Sequence, residues 1–330
     1  MKFSPLGRTG MKVSKLCVGT WNFGTYTDEK ESFRILDTAM DAGINFIDTA
    51  NAYPDVGLRG KSEEIIGRWF AQGGGRRESM VLATKVFSFT ENPHDGPNDG
   101  HGLSIYKIRR HIDHSLRRLQ TNHVELYQMH HVDPDVTWEE LWDAFESIFY
   151  QGKIDYVGAC NFAGMHYMEA QAKAKERHFL GLVSAQEVYN LFCRLPELEV
   201  IPTCKRLGMG VLPYSPLAGG KLAGKIKAAG NEKSRRLDAE GNKTVDETLE
   251  EQLRMFSELC NELGETEADV ALAWLLANPA VTAPIIGPRT EGQLKAALRA
   301  VEIELDAAAM ERLDRIFPGP GGAAPEAYAW

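Results

Sequence analysis

Ile44-Asn45-Phe46-Ile47 runs apolar into Asp48, Met80-Val81-Leu82-Ala83-Thr84 into Lys85, and Val124 through Met129 into His130. Short apolar and β-branched runs of this kind read as buried strands. Strands that end in Asp, Lys and His aim proton-handling groups at one rim of a sheet. In parallel α/β folds the C-terminal rim is where active sites are built. The pattern points to an enzyme.

Strand-like segments fall at 16–19, 44–48, 80–85, 124–130, 155–160, 182–188, 210–215 and 281–287. Amphipathic segments fall between them, at 28–42, 61–71, 104–119, 137–151, 164–178, 197–207, 249–263 and 290–300, with further helical pieces near 267–278 and 306–316. Asp28 is a plausible cap for the first helix, and Gly43 stands just past its end. Eight strand–helix units close most naturally as a (β/α)8 barrel, an α/β fold, with two extra helices. An open doubly wound sheet would carry a GxGxxG turn after its first strand. Here that turn is Gly19-Thr20-Trp21-Asn22-Phe23-Gly24, which does not match. Residues 3–14, centred on Gly7-Arg8-Thr9-Gly10, predict a β-hairpin closing the bottom of the barrel. All of 1–330 is expected to form one barrel domain.

Two long turn-rich loops interrupt the repeat, 86–103 after the third strand and 217–247 after the seventh, both on the presumed catalytic face. The tail 318–330 ends Tyr328-Ala329-Trp330 and reads either as a loose end or as a flap over the pocket.

The chain of 330 residues is 43% hydrophobic and 25% charged, enough for a sizeable core. Its net charge of −9 argues against a nucleic-acid footprint. No stretch reaches a membrane span, and the N-terminus carries no apolar leader. Cys17, Cys160, Cys193, Cys204 and Cys260 are scattered and odd in number, which predicts reduced thiols in the cytoplasm. His94, Asp95, Asp99 and His101 lie in a Pro/Gly loop without metal-ligand spacing, so no metal is expected. Gly73-Gly74-Gly75-Arg76-Arg77 follows a helix rather than a strand, and reads as a helix stop rather than a phosphate cradle.

Asp48, Tyr53, Lys85 and His130 make a coherent acid. A phenol is a poor acid at neutral pH, and a neighbouring ammonium, Lys85, is expected to lower its pKa. Asp48 keeps that ammonium charged, and His130 can bond a substrate oxygen or relay a proton. Any one of these side chains alone reads more readily as a packing or salt-bridge residue. The four together do not.

The chain resembles the aldo-keto reductase family along nearly its whole length. The matching segments include Gly43-Ile44-Asn45-Phe46-Ile47-Asp48-Thr49-Ala50, Tyr53, Ser62-Glu63-Glu64-Ile65-Ile66-Gly67, Val81 to Lys85 and Leu126 to His130. They continue through Asn161-Phe162, Gln186, Tyr189-Asn190, Tyr214-Ser215-Pro216-Leu217-Ala218 and Gly287-Pro288-Arg289-Thr290.

The resemblance implies an NADP(H)-dependent oxidoreductase that reduces a small-molecule carbonyl, with Tyr53 as general acid, Asp48 and Lys85 tuning it, and His130 orienting the carbonyl. Asn161 and Gln186 would hold the nicotinamide carboxamide and Tyr214 would stack on its ring. Thr20, Trp21, Asp48, Gly287 and Gln293 would also line the cofactor. Ser215, Leu217 and Lys225 would meet the pyrophosphate, and Arg289 the 2′-phosphate. Trp21, Tyr53 and His131 would shape the substrate pocket. This sequence departs from the family pattern in three places: Cys160 replaces a Ser, His131 a frequent Arg, and Ala296-Ala297 the Glu-Asn that often meets adenine. Phe70 to Arg77, His130-His131, Gly287-Pro288-Arg289-Thr290 and Ile316-Phe317-Pro318 are similar to a narrower branch of actinobacterial reductases of nucleotide-linked keto-deoxyhexoses. An alternative from another class is a nicotinamide-binding regulatory subunit with very slow turnover, as some family members accompany ion channels.

Overall fold

The computed structural model describes residues 1–90, 94–98, 100–224, 247–324 and 327, with Glu247 described by its backbone alone. A hairpin comes first: β1 (Phe3–Pro5) pairs antiparallel with β2 (Lys12–Ser14). Eight parallel strands follow: β3 (Cys17–Gly19), β4 (Phe46–Asp48), β5 (Val81–Val86), β6 (Val124–Met129), β7 (Ile154–Cys160), β8 (Leu182–Val188), β9 (Gly210–Tyr214) and β10 (Ile285–Ile286). Their lateral order is β10-β3-β4-β5-β6-β7-β8-β9. A parallel bridge between Val211 and Val281 brings the two ends of that order together. The sheet is a nearly closed (β/α)8 barrel, not an open doubly wound sheet.

Ten helices are described: α1 (Glu29–Asp41), α2 (Lys61–Phe70), α3 (Ile105–Leu119), α4 (Trp138–Tyr150), α5 (Gly164–Glu176), α6 (Val200–Leu207), α7 (Glu247–Leu263), α8 (Glu267–Ala277), α9 (Glu291–Ala297) and α10 (Ala307–Ile316). Side-chain caps start many of them. Asp28 accepts from the Glu31 N–H, Ser104 from Lys107, Thr137 from Glu140 and Thr266 from Asp269. Each satisfies a first-turn N–H that has no helical partner. Gly43 follows α1 at φ 78°, and Gly73, Gly74 and Gly75 follow α2 at φ near 70°, so both glycine signals mark helix ends.

The differences from expectation have local causes. The last strand shrinks from 281–287 to two residues because Pro284 has no N–H to continue the ladder; its carbonyl instead accepts from Cys17. The helix expected over 197–207 starts at Val200, after a separate 3₁₀ turn at Leu195–Glu197 that contains Pro196. The helix over 290–300 tightens into a 3₁₀ turn at Leu298–Val301.

The hairpin plugs one end of the barrel. Leu6 and Val13 are fully buried and cluster with Cys17, Phe46, Ala83, Leu126 and Leu212 inside the sheet. Gly7 comes so close that a Cβ there would lie 2.5 Å from the Val183 carbonyl, and its φ is 55°. Successive side chains of a strand alternate faces, so the residue two places on points the same way. Phe46 is followed at that spacing by Asp48, Ala83 by Lys85, Leu126 by Gln128 and Leu212 by Tyr214. One apolar layer of the interior is therefore topped by a polar one.

Candidate active site

That polar layer is a connected network. Lys85 is fully buried at the end of β5 and donates from Nζ to Asp48 Oδ2 (2.5 Å), the Thr49 carbonyl (2.9 Å) and the Tyr53 hydroxyl (3.3 Å). The other Asp48 oxygen, Oδ1, accepts from Gln128 Nε2 (3.0 Å) and Gln186 Nε2 (2.9 Å). Gln186 Nε2 also reaches Gln128 Oε1 at 3.2 Å. A buried ion pair is tolerable when its remaining valences are satisfied, and here both carboxylate oxygens and the ammonium have partners.

Tyr53 lies on the loop between β4 and α2, and its ring meets His130 edge-on at 5.7 Å between centroids. Burial alone would depress the Lys85 ammonium, but the charges of Asp48 and its other neighbours hold it above its ordinary value. Tyr53 departs from the sequence expectation. Removal of water from the phenol raises its pKa, and Lys85 only partly offsets this. The phenol therefore stays protonated through the neutral range. His130 is pushed well below its ordinary value by burial and by the Lys85 charge, so it is a neutral imidazole. Its Nδ1 is buried with no hydrogen-bond partner.

The other expected residues gather at the same rim, to different degrees. Asn161, at the end of β7, donates from Nδ2 to the His130 carbonyl (3.0 Å) and accepts at Oδ1 from the Tyr214 hydroxyl (2.8 Å). Asn161, Ser215 and Ala218 all have positive φ, at 61°, 52° and 48°. Such backbone costs on the order of 1 kcal/mol or more per residue and gathers at functional sites. Asn190 Nδ2 secures the Ser215 carbonyl at 2.9 Å, and Asn22 Nδ2 the Gly287 carbonyl at 2.9 Å. Gln293 Oε1 accepts from the Arg289 N–H at 2.8 Å. Arg289 is a half-buried residue, and its guanidinium has no ion-pair partner among the described residues.

The Thr20 hydroxyl is engaged by the Asp48 carbonyl and Ser62. Trp21 is half-buried beside Tyr26, at 5.5 Å between ring centroids. His131 is exposed, stacked on His130 at 5.2 Å and close to Phe87. Leu217 packs against the main core. Lys225 lies outside the described residues, as do Tyr328 and Trp330 of the expected flap. Cys160 keeps one weak contact from the replaced serine's place, Sγ to Gln128 Oε1 at 3.8 Å.

Two site residues went unassigned in the sequence. Gln128 stands between Tyr127 and Met129, and Glu187 adjoins Gln186 near the end of β8; a buried polar residue within a largely apolar strand run was the available signal. Of the loop residues considered as metal ligands, Asp95 pairs instead with Arg110 and His111, and Asp99 lies outside the described residues. Among the described residues no group of three His, Cys, Asp or Glu side chains could hold a metal ion, and no helix is long and apolar enough to cross a membrane.

The chain is similar to known proteins along its length. The chain is 56% identical over the full length of both proteins to one named "uncharacterized oxidoreductase YrpG" from Bacillus subtilis. It is 34% identical to a "probable voltage-gated potassium channel subunit beta" from Arabidopsis thaliana, over 92% of each chain. It is 31% identical to the "aryl-alcohol dehydrogenase [NADP(+)]" of Phanerodontia chrysosporium, over 94% of this chain and 84% of that one. The family model for the aldo/keto reductase family matches residues 15–317, with the whole polar rim inside the match, and the chain belongs to that family.

Proposed function

We propose that this protein is an NADPH-dependent carbonyl reductase in which Tyr53 protonates the carbonyl oxygen. The observation that carries the reading is the Tyr53–Lys85–Asp48 chain, with 3.3 Å from phenol to ammonium and 2.5 Å from ammonium to carboxylate. The family membership and the oxidoreductase names of relatives support carbonyl reduction in general.

The residues at the rim fit a nicotinamide dinucleotide. Gln186 spends its amide N–H groups on Asp48 and Gln128 and leaves Oε1 without a partner among the described residues, an acceptor for a carboxamide N–H. Arg289, with no ion-pair partner among the described residues, suits a phosphate, and a guanidinium binds one in a two-pronged grip. The half-buried Tyr214 ring offers stacking area. When bound, the reduced cofactor supplies hydride to the carbonyl carbon.

The chain's own part is acid catalysis. Tyr53 gives its proton to the oxygen as negative charge grows there, and the phenolate left behind faces the Lys85 ammonium. Asp48 keeps Lys85 charged throughout. His130, as a neutral ring, can donate one N–H to the same oxygen and fix its direction. Trp21 and the exposed His131 give the mouth a polar aromatic rim, which suits a polar cyclic ketone such as a keto-sugar.

The test is NADPH oxidation with a panel of aldehydes and cyclic ketones. Clear turnover is expected. Tight NADPH binding without turnover would favour the regulatory-subunit reading, which the potassium-channel relative brings into view. No change in protein fluorescence on adding NADPH would reject a nicotinamide site altogether.

A further inference from the structure

We propose that Glu187 is a positioning residue that locks the Asn161–Phe162 turn, and through it the Asn161 amide, for the carboxamide end of a bound nicotinamide. The proposal rests on the cofactor reading given above.

Asn161 sits in left-handed backbone at φ 61°, a region that Asn enters more readily than other residues with a side chain but that still needs a defined turn to hold it. Two consecutive N–H groups hold it there. The Asn161 N–H donates to the Gln186 carbonyl at 3.1 Å, and the Phe162 N–H donates to Glu187 Oε1 at 3.1 Å. The same carboxylate oxygen accepts from the Tyr167 hydroxyl at 2.6 Å, and Tyr167 also reaches the Ala159 carbonyl at 3.4 Å. Glu187 on β8 thus ties the end of β7 to the first turn of α5. The Asn161 side chain has no slack of its own. Nδ2 is fixed to His130 and Oδ1 to Tyr214, so a change in the backbone turn would break both contacts.

Glu187 is an unexpected occupant if packing were its only task. It is 7% exposed and has no cation within ion-pair distance among the described residues. Burying a carboxyl group with only neutral donors is costly, and burial pushes this one up to about 7. An apolar side chain of similar volume would avoid that cost, but it could not accept the Phe162 N–H.

The test uses the intact protein and two ligands, NADPH and adenosine 2′,5′-bisphosphate, which has the phosphate end but no nicotinamide. Affinities are read by fluorescence titration. Glu187→Ala should raise the NADPH Kd about tenfold, the scale of a lost buried hydrogen bond, and leave the bisphosphate Kd within about twofold. Glu187→Gln, whose amide oxygen can accept both bonds, should return the NADPH Kd to within about threefold of wild type. If Glu187→Ala does not fold, Glu187→Met keeps the volume, removes the acceptor and carries the same expectation. Equal losses for both ligands would mark a merely structural strut and overturn the proposal, as would an unchanged NADPH Kd. Failure of the wild-type protein to bind NADPH would instead overturn the cofactor reading, and this inference with it.

Discussion

At the residue scale, the decisive quantity is the proton on Tyr53. Sequence reasoning counted the Lys85 charge and predicted a lowered phenol pKa. It could not weigh desolvation, which depends on what the fold stacks around the ring and which raises the pKa. For a reductase this direction is useful, because the acid stays loaded. Reduction should therefore hold a constant kcat from roughly pH 6 to 9 and fall only as the phenol ionises. A kcat–pH profile with a descending limb near neutrality would contradict it. Lys85→Met should cut turnover about a hundredfold or more. It should also strand a buried carboxylate, lowering stability by about 3–5 kcal/mol in denaturant titration. Asp48→Asn added to Lys85→Met should recover part of that stability but none of the activity. Arg289→Ala should raise the NADPH Kd about tenfold and leave NADH nearly unchanged, since only the former carries a 2′-phosphate for the guanidinium.

At the element scale, the fold was legible because strand periodicity and site chemistry coincide. Asp48, Lys85, Gln128 and Tyr214 each stand two residues beyond an interior apolar side chain. Apolar runs ending in polar residues thus announce both the strand and the rim. Helix limits were legible where a cap spoke, as at Asp28, and less so where proline altered the ladder, as at Pro196 and Pro284. Gln128 and Glu187 were not assigned because a buried polar residue within a strand carries no spacing of its own; its meaning lies in partners on neighbouring elements.

Close helix packing was equally hidden. Gly67 of α2 lies against α3 so tightly that a Cβ would sit 2.1 Å from the Arg118 carbonyl, a backbone atom that cannot swing aside. Gly67→Ala should cost roughly 1–3 kcal/mol by overpacking and lower Tm. Because the contact is outside the barrel, kcat of the folded fraction at room temperature should not change.

At the scale of the whole molecule, the barrel brings residues from β4 to β10 to one rim. Glu187 also gives stability a pH signature. Its carboxyl titrates near 7 in the folded protein against an ordinary value of 4.5, so between these values the folded chain keeps a proton that the unfolded chain releases. Its contribution is therefore fully present below about pH 4.5, declines as pH rises, and is gone above about 7, a change of a few kcal/mol. Glu187→Gln lacks this titration. Its stability relative to wild type should therefore rise between pH 5 and 8, as measured by paired denaturant titrations; a constant difference would contradict the assignment.

The central claim is that Tyr53 is the acid and the rest of the rim serves it. Its most direct test is Tyr53→Phe, assayed for NADPH binding by fluorescence and for NADPH oxidation with a carbonyl that the wild type reduces. The cofactor Kd should stay within about threefold of wild type, while turnover should fall by about a hundredfold or more. Undiminished turnover in Tyr53→Phe would contradict it.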